Sequence, residues 1–144
     1  MEEESTVQTY LFKRMIVAIV VMLLIAAIHI FRVGTYFSGK IFILYYSFFS
    51  DIVIPIGIYF MLCINDVSIP SLKSWKTKAA IVFVIAAATE IAQAFGIPLL
   101  GSTFDALDFV MFGVGTFLAV GLDKIFSRVF SFWSFRDENV PTGV

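Results

Sequence analysis

The sequence predicts an all-α fold, a membrane-embedded bundle of four transmembrane helices. Hydrophobic residues make up 60% of the 144 residues and charged residues only 15%, with a mean hydropathy of +0.95. A soluble domain carries about 25% charged residues, so this composition excludes an ordinary soluble fold. Apolar runs long enough for a helix to cross a hydrocarbon core, which takes about 20 residues, recur along the chain.

The predicted spans are separated by short polar or basic segments. The acidic leader and the lack of a small-residue cleavage site favour a retained first span over a secretory signal peptide. The third span ends where Gly96 and Pro98 interrupt the helix. Residues 1–144 are expected to form one membrane domain, with a disordered polar tail over residues 132–144. The spans cover approximately residues 15–31, 43–64, 79–95 and 104–126.

Lys and Arg are distributed unevenly between the predicted loops. With four spans, both termini and the second loop share one side of the membrane, and of the 10 basic residues only Arg32 and Lys40 lie on the other side. Short basic loops stay in the cytoplasm. We therefore expect a multi-pass protein of the cell membrane with both termini cytoplasmic. Trp75 and Trp133, near helix ends on the basic side, suit an interfacial aromatic belt.

Polar side chains within or beside the predicted spans favour the outer half of the membrane. A charge at the bilayer centre costs about 2.5 to 3.5 kcal/mol. The acids are therefore expected to line a protein-enclosed cavity, to be protonated, or to bind something positive. Spacing of three residues pairs Glu90 with Gln93 and Asp105 with Asp108 on helix faces. The candidate pocket residues are Glu90, Gln93, Asp105, Asp108, Asp51 and His29.

Most of these residues also have a structural interpretation. Asp105 suits an N-cap of the fourth helix, and Asp108 favours the positive amino end of that helix. Pro55 leaves the Asp51 carbonyl without its helical donor, which suits either a cation or proton site or an ordinary proline kink. For His29, a hydrogen bond at the interface is favoured over a metal ligand.

Small residues predict close helix packing in the second half of the chain. Asp108, Phe112, Gly115 and Ala119 form one stripe of the fourth span, and membrane helix interfaces favour small residues. Because the third span is rich in alanine, we expect spans three and four to pack as an antiparallel hairpin. Cys63, the single cysteine, is expected to be a packing residue.

Sequence motifs give no direct sign of catalysis or of a cofactor. The chain has no P-loop, G-x-S-x-G elbow, GxGxxG turn or H-E-x-x-H motif. We therefore predict no cofactor, no metal site and no nucleic-acid partner, with the lipid bilayer as the expected environment. The oligomeric state and the organism are left open.

The stretch EIAQAFGIPLLGSTFDALDFVMFGVGTFLAVGLD resembles the second half of the VanZ-like membrane protein family. That family has a Glu followed three residues later by Gln, a short loop, two Asp three residues apart, and a helix with small residues. The matching residues are Glu90, Gln93, Asp105, Asp108 and Gly115. The four-span layout is similar as well.

The resemblance has departures. The family often has an Arg shortly before the first Asp, where this chain has Ser102 and Thr103, and Phe112 replaces an Asn. An Asp-Lys then His pattern in an earlier span is reduced to Asp51. The name member is linked to low-level glycopeptide resistance, and the resemblance does not carry that activity to this chain.

Three functions are compatible with these residues. The leading hypothesis is a small VanZ-like integral membrane protein whose outward-facing acidic pocket binds a cation, a proton or an envelope-lipid head group. The first alternative is a membrane enzyme acting on a lipid head group through paired carboxylates. The second is a non-catalytic scaffold or accessory subunit. The sequence favours a non-enzymatic role without deciding it.

Overall fold

The computed structural model describes residues 2–66, 68–97 and 105–133, with side chains from residue 8. The described part consists of helices and connections and contains no strand. Each long helix includes a segment long and apolar enough to cross a membrane. The predicted all-α four-helix bundle of a multi-pass integral membrane protein is therefore confirmed. The helices are α1 Glu2–Ile30, α2 Gly39–Asn65, α3 Trp75–Ala94 and α4 Ala106–Val129.

The helices are longer than the predicted apolar spans at several ends. α1 begins at Glu2, not near residue 15, because the leader contains helix-favouring residues such as Glu and Gln that continue the helix beyond its apolar run. α2 and α4 extend to Asn65 and Val129. Hydropathy locates the segment that suits hydrocarbon, whereas backbone hydrogen bonding decides where a helix stops.

Consecutive helices are antiparallel, and α2 and α4 are parallel to each other. At one end of the bundle, Arg14 of α1 contacts Asp66, which directly follows α2. At the opposite end, His29 in the last turn of α1 contacts Ser50 of α2. The end that contains the start of α1 and the finish of α4 is called the termini end. The opposite end, which contains the α1–α2 and α3–α4 connections, is called the loop end.

The α2–α4 packing is the most extensive contact between helices in the described structure, and α1 packs on α2 but not on α3 or α4. Gly115 of α4 lies against the backbone of Ile52 in α2, so that a side chain at position 115 would overlap with the Ile52 carbonyl. Gly57 similarly faces Met22 of α1. The predicted small-residue stripe thus contacts α2, while α3 and α4 also pack against each other as an antiparallel pair.

The carboxyl end of α3 is closed by a Schellman motif, a common helix stop. Gly96 has a φ of 77°, which glycine adopts without strain. Its N–H donates to the Gln93 carbonyl at 2.8 Å, and the Ile97 N–H donates to the Ala92 carbonyl at 3.0 Å. The predicted helix break at Gly96 has this local cause. Pro98, the other predicted breaker, lies outside the described residues.

The main apolar core lies toward the termini end. Trp133 is part of it and Phe132 packs against it, while the rest of the predicted disordered tail, residues 134–144, lies outside the described residues. Trp133 is buried and does not belong to an exposed aromatic belt. The buried members of the core are Ala18, Tyr59, Phe60, Cys63, Val82, Ala119, Val120 and Trp133.

Candidate functional site

A cavity of about 340 Å³ lies between α2 and α3, with α4 as its floor. We call it the loop-end cavity. Its polar lining combines carboxylates with hydroxyl and amide groups, and its deeper wall is aliphatic. The tyrosine on its rim, Tyr46, is 54% exposed. The lining residues are Tyr46, Ser47, Ser50, Asp51, Ile54, Ile58, Ile85, Ala86, Thr89, Glu90, Gln93, Asp108 and Phe112.

Glu90 is the most deeply buried acid of the cavity, with 1% of its surface exposed. Its Oε1 accepts a 2.6 Å hydrogen bond from the backbone N–H of Asp105. Because the first N–H groups of a helix lack partners within the helix, Glu90 of α3 satisfies a donor at the beginning of α4. Glu90 therefore lines the cavity and also links α3 to the beginning of α4.

Asp51 and Asp108 approach each other across the α2–α4 contact. Both carboxyl groups line the loop-end cavity together with Glu90, and the three acidic side chains interact electrostatically. Carboxylates that line one cavity repel each other, and a positive group between them would relieve that repulsion.

Two predicted pocket residues lie outside the cavity lining. Asp105 is the exposed N-cap of α4, and its side chain accepts a 2.9 Å hydrogen bond from the Leu107 N–H. His29 is exposed at the end of α1; its Nδ1 lies 2.9 Å from the Ile25 carbonyl and its Nε2 lies 3.4 Å from the Ser50 hydroxyl. The structure thus brings together four of the six candidates, Asp51, Glu90, Gln93 and Asp108.

The loop-end cavity has a negative lining. No Lys, Arg or His is among the described residues that line it. Within residues 2–66, 68–97 and 105–133, no three His, Cys, Asp or Glu side chains are arranged to hold a metal ion. The arrangement can attract a positive group through charge and hydrogen bonds.

The termini end contains a second polar site that sequence reasoning missed. Arg14 of α1, only 3% exposed, donates to the carboxylate of Asp66 and to the Trp133 carbonyl. Lys78 of α3 lies 3.4 Å from the other Asp66 oxygen and 3.2 Å from Asp123 of α4. Four alternating charges therefore connect all four helices, and we call Arg14, Asp66, Lys78 and Asp123 the charge network.

Two aromatic side chains donate hydrogen bonds to the Asp123 carboxylate. The Tyr59 hydroxyl donates to Asp123 Oδ2 at 2.7 Å, and the Trp133 indole N–H donates to Asp123 Oδ1 at 2.7 Å. The Lys78 ammonium also lies 5.2 Å from the centre of the Tyr59 ring, within cation–π range. Both Asp123 oxygens are thus held by donors from three elements.

Asp66 lies just beyond the end of α2. Burial raises the pKa of its carboxyl, and the neighbouring charges of Arg14 and Lys78 act in the opposite direction. A sequence signal for the network existed, since Lys78 and Asp123 fall at the same end of two predicted antiparallel spans. The orientation prediction uses the basic residues there only as markers of the cytoplasmic side.

The loop-end cavity and the charge network occupy opposite ends of one bundle. A scan against models of known protein families finds no match. A search of curated proteins and a search of solved structures likewise find none.

Proposed function

We propose that this protein is a small VanZ-like integral membrane protein whose loop-end cavity binds the positive group of a membrane amphiphile, such as the amine of an envelope-lipid head group. One observation carries the proposal: Asp51, Glu90 and Asp108 line a single cavity whose described lining has no cationic side chain.

The need for a positive partner follows from the closeness of the carboxylates. Asp51 and Asp108 are only partly buried, but carboxylates that line one cavity repel each other unless a positive group lies between them. In the charge network, Asp66 and Asp123 each have a Lys78 contact within 3.4 Å. Asp51 and Asp108 have each other instead. A bound ammonium group would supply the missing charge.

The lining suits an organic ammonium group better than a bare metal ion. Metal binding needs several ligands at fixed geometry, and the described residues offer no group of three suitable side chains. An ammonium group needs only charge and hydrogen-bond acceptors, which Asp51, Ser50 and Gln93 provide. The Tyr46 ring at the rim can add a cation–π contact.

The position of the cavity suits a ligand that comes from the bilayer. It lies between two membrane helices, and Tyr46 and Ile85 on its lining are exposed toward the surroundings of the bundle. If both termini are cytoplasmic, as the Lys and Arg distribution predicts, the cavity belongs to the outer half of the cell membrane. A head group in that leaflet could enter sideways between α2 and α3.

The test is lipid binding to the purified protein in nanodiscs, comparing phosphatidylethanolamine with phosphatidylglycerol by native mass spectrometry. We expect a preference for the amine lipid, and a loss of about tenfold in its affinity in Asp51→Asn and in Asp108→Asn. Asp105→Asn is the matched control, because it removes a nearby charge outside the lining and Asn still caps a helix. Equal affinity for both lipids, or equal losses in all three variants, would contradict the proposal.

A scaffold function is the second candidate, because the bond from the Asp105 N–H to Glu90 is structural. Glu90→Gln keeps an oxygen acceptor but removes the charge, whereas Glu90→Leu removes both. A scaffold predicts that Glu90→Gln folds normally and leaves amine-lipid binding unchanged. The binding proposal predicts normal folding with weakened binding.

A further inference from the structure

The loop-end cavity changes from polar to apolar along its length, and the same change occurs on all three helices that line it. The polar residues lie nearer the loop end of each helix, and the apolar residues lie nearer the middle of the bundle. The lining passes from Asp51 to Ile58 on α2, from Glu90 to Ile85 on α3 and from Asp108 to Phe112 on α4. A ligand that fits this lining has a polar group toward the loop end and an apolar part toward the middle of the bundle.

The size of the cavity limits how much of a ligand it can hold. Its volume of about 340 Å³ is near the lower end of the range for small-molecule sites, about 300 to 1,000 Å³. Ile58 lies seven residues after Asp51, which corresponds to about 10 Å along a helix. Ile85 is 43% exposed, so the apolar wall is open to the surroundings of the bundle. The cavity therefore suits one charged group and the first part of one alkyl chain.

The surroundings of the acids offer no positive charge to a phosphate group. None of the described residues that line the cavity is basic, and the α3–α4 connection, residues 95–105, contains no Lys, Arg or His in its sequence. Arg32 and Lys40, at the loop end, are exposed and are not part of the lining. His29 contacts Ser50 but does not line the cavity either. A phosphate beside a bound amine would face carboxylates, and like charges in close contact are unfavourable.

We propose that the loop-end cavity selects a long-chain amine whose positive group has no phosphate next to it. This inference rests on the function proposed above and narrows the class of its ligand. The ammonium group lies among Asp51, Glu90 and Asp108, and the alkyl chain lies against Ile58 and Ile85. Phosphatidylethanolamine supplies the same ammonium group but brings its phosphate against the acidic lining. It therefore binds less tightly than the simple amine, although still more tightly than phosphatidylglycerol.

The experiment measures the binding of three single-chain probes to the full chain in nanodiscs by native mass spectrometry. The probes have the same chain length: dodecylamine, dodecanol and the lysophosphatidylethanolamine with a dodecanoyl chain. Dodecylamine is expected to bind about tenfold more tightly than either of the others. Asp108→Asn is expected to lower its affinity about tenfold, whereas Asp105→Asn, outside the lining, leaves it unchanged. Asp51→Asn is the second variant if Asp108→Asn does not fold.

A further pair of variants tests the position of the alkyl chain. Ile85→Ser is expected to lower the affinity for dodecylamine about fivefold, because it removes apolar surface from the wall. Ile91→Ser is the matched control, since Ile91 is an exposed isoleucine of the same helix and lies outside the lining. Equal losses in the two variants would overturn the placement of the chain.

The outcomes separate this inference from the proposed function. Tighter binding of dodecylamine that is lost in Asp108→Asn and kept in Asp105→Asn supports both. Equal binding of dodecylamine and the lysophospholipid, with both weakened by Asp108→Asn, overturns the selection against phosphate and leaves the proposed amine site standing. Equal binding of dodecylamine and dodecanol, with no effect of Asp51→Asn or Asp108→Asn, overturns the inference and the proposed function together.

Discussion

Gly115 of α4 and Ile52 of α2 are in backbone contact: the Gly115 Cα faces the Ile52 carbonyl with no room for a side chain between them. Such contacts matter more within a bilayer than in water, because membrane helices associate through close packing without a hydrophobic driving force between them. Ile52 follows Asp51 directly, so this contact lies next to one of the acids that line the loop-end cavity.

Gly115→Ala is expected to destabilise the bundle by about 1 to 3 kcal/mol, because backbone atoms of Ile52 must move to accommodate the methyl group. The measurement is unfolding in mixed detergent followed by far-ultraviolet circular dichroism. Gly121→Ala on the same helix is the control, since a methyl group there meets nothing within 4 Å. Alanine also favours helix over glycine, so the control should be neutral or more stable. Similar losses in both variants would rule out the close contact as the cause.

Arg14→Met is expected to destabilise the protein by about 3 to 5 kcal/mol, because it leaves the buried Asp66 carboxylate without one of its cations. The neighbouring Lys13 is exposed, so Lys13→Met provides a control with the same change in charge and little expected effect. The double variant Arg14→Met with Asp66→Asn should lose less stability than the sum of the two single variants. Additive losses would show that the two charges do not interact.

Tyr59→Phe tests the hydrogen bond between the Tyr59 hydroxyl and Asp123. Tyr59 is fully buried, and its hydroxyl donates to Asp123 at 2.7 Å. Removing that donor is expected to destabilise the protein by about 1.5 to 3 kcal/mol, the range for a hydrogen bond to a charged group. Tyr36→Phe is the control, because Tyr36 is 82% exposed. The two variants are compared by thermal unfolding in detergent, and equal midpoints would contradict the role given to the hydroxyl.

The number and order of the helices follow from hydropathy, since only an apolar helix of sufficient length is stable across hydrocarbon. The same logic identified Glu90 and Asp108, because an acid inside an apolar run is costly enough to need a structural or functional reason. It also placed Asp51 with them. Periodicity could not decide which neighbour Gly115 would contact, because a small residue permits close approach to any helix.

The charge network shows why other features escaped prediction. Asp66 caps α2 and Asp123 lies in the last two turns of α4, close to the ends of the spans, where a charged residue is common and gives no sign of burial. Their pairing with Arg14 and Lys78 depends on how four helices meet, which spacing along one helix does not encode. The position of Trp133 depends on the same packing: the polar tail predicts disorder, whereas the Trp133 indole N–H donates to the partly buried Asp123.

Asp105 and Glu90 both stabilise the beginning of α4. The Asp105 side chain accepts from the Leu107 N–H, whereas the Glu90 side chain accepts from the Asp105 N–H. Asp105→Ala removes the cap of the Leu107 N–H while keeping the backbone N–H that donates to Glu90. We expect a loss of about 1 kcal/mol, and a near-neutral result for Asp105→Asn, which still caps. Glu90→Ala should cost more, because it leaves a backbone donor unpaired and also removes packing volume from a buried position. The measurement is chemical unfolding of the three variants in one detergent. If Asp105→Ala costs as much as Glu90→Ala, the Asp105 side chain has a larger role than capping.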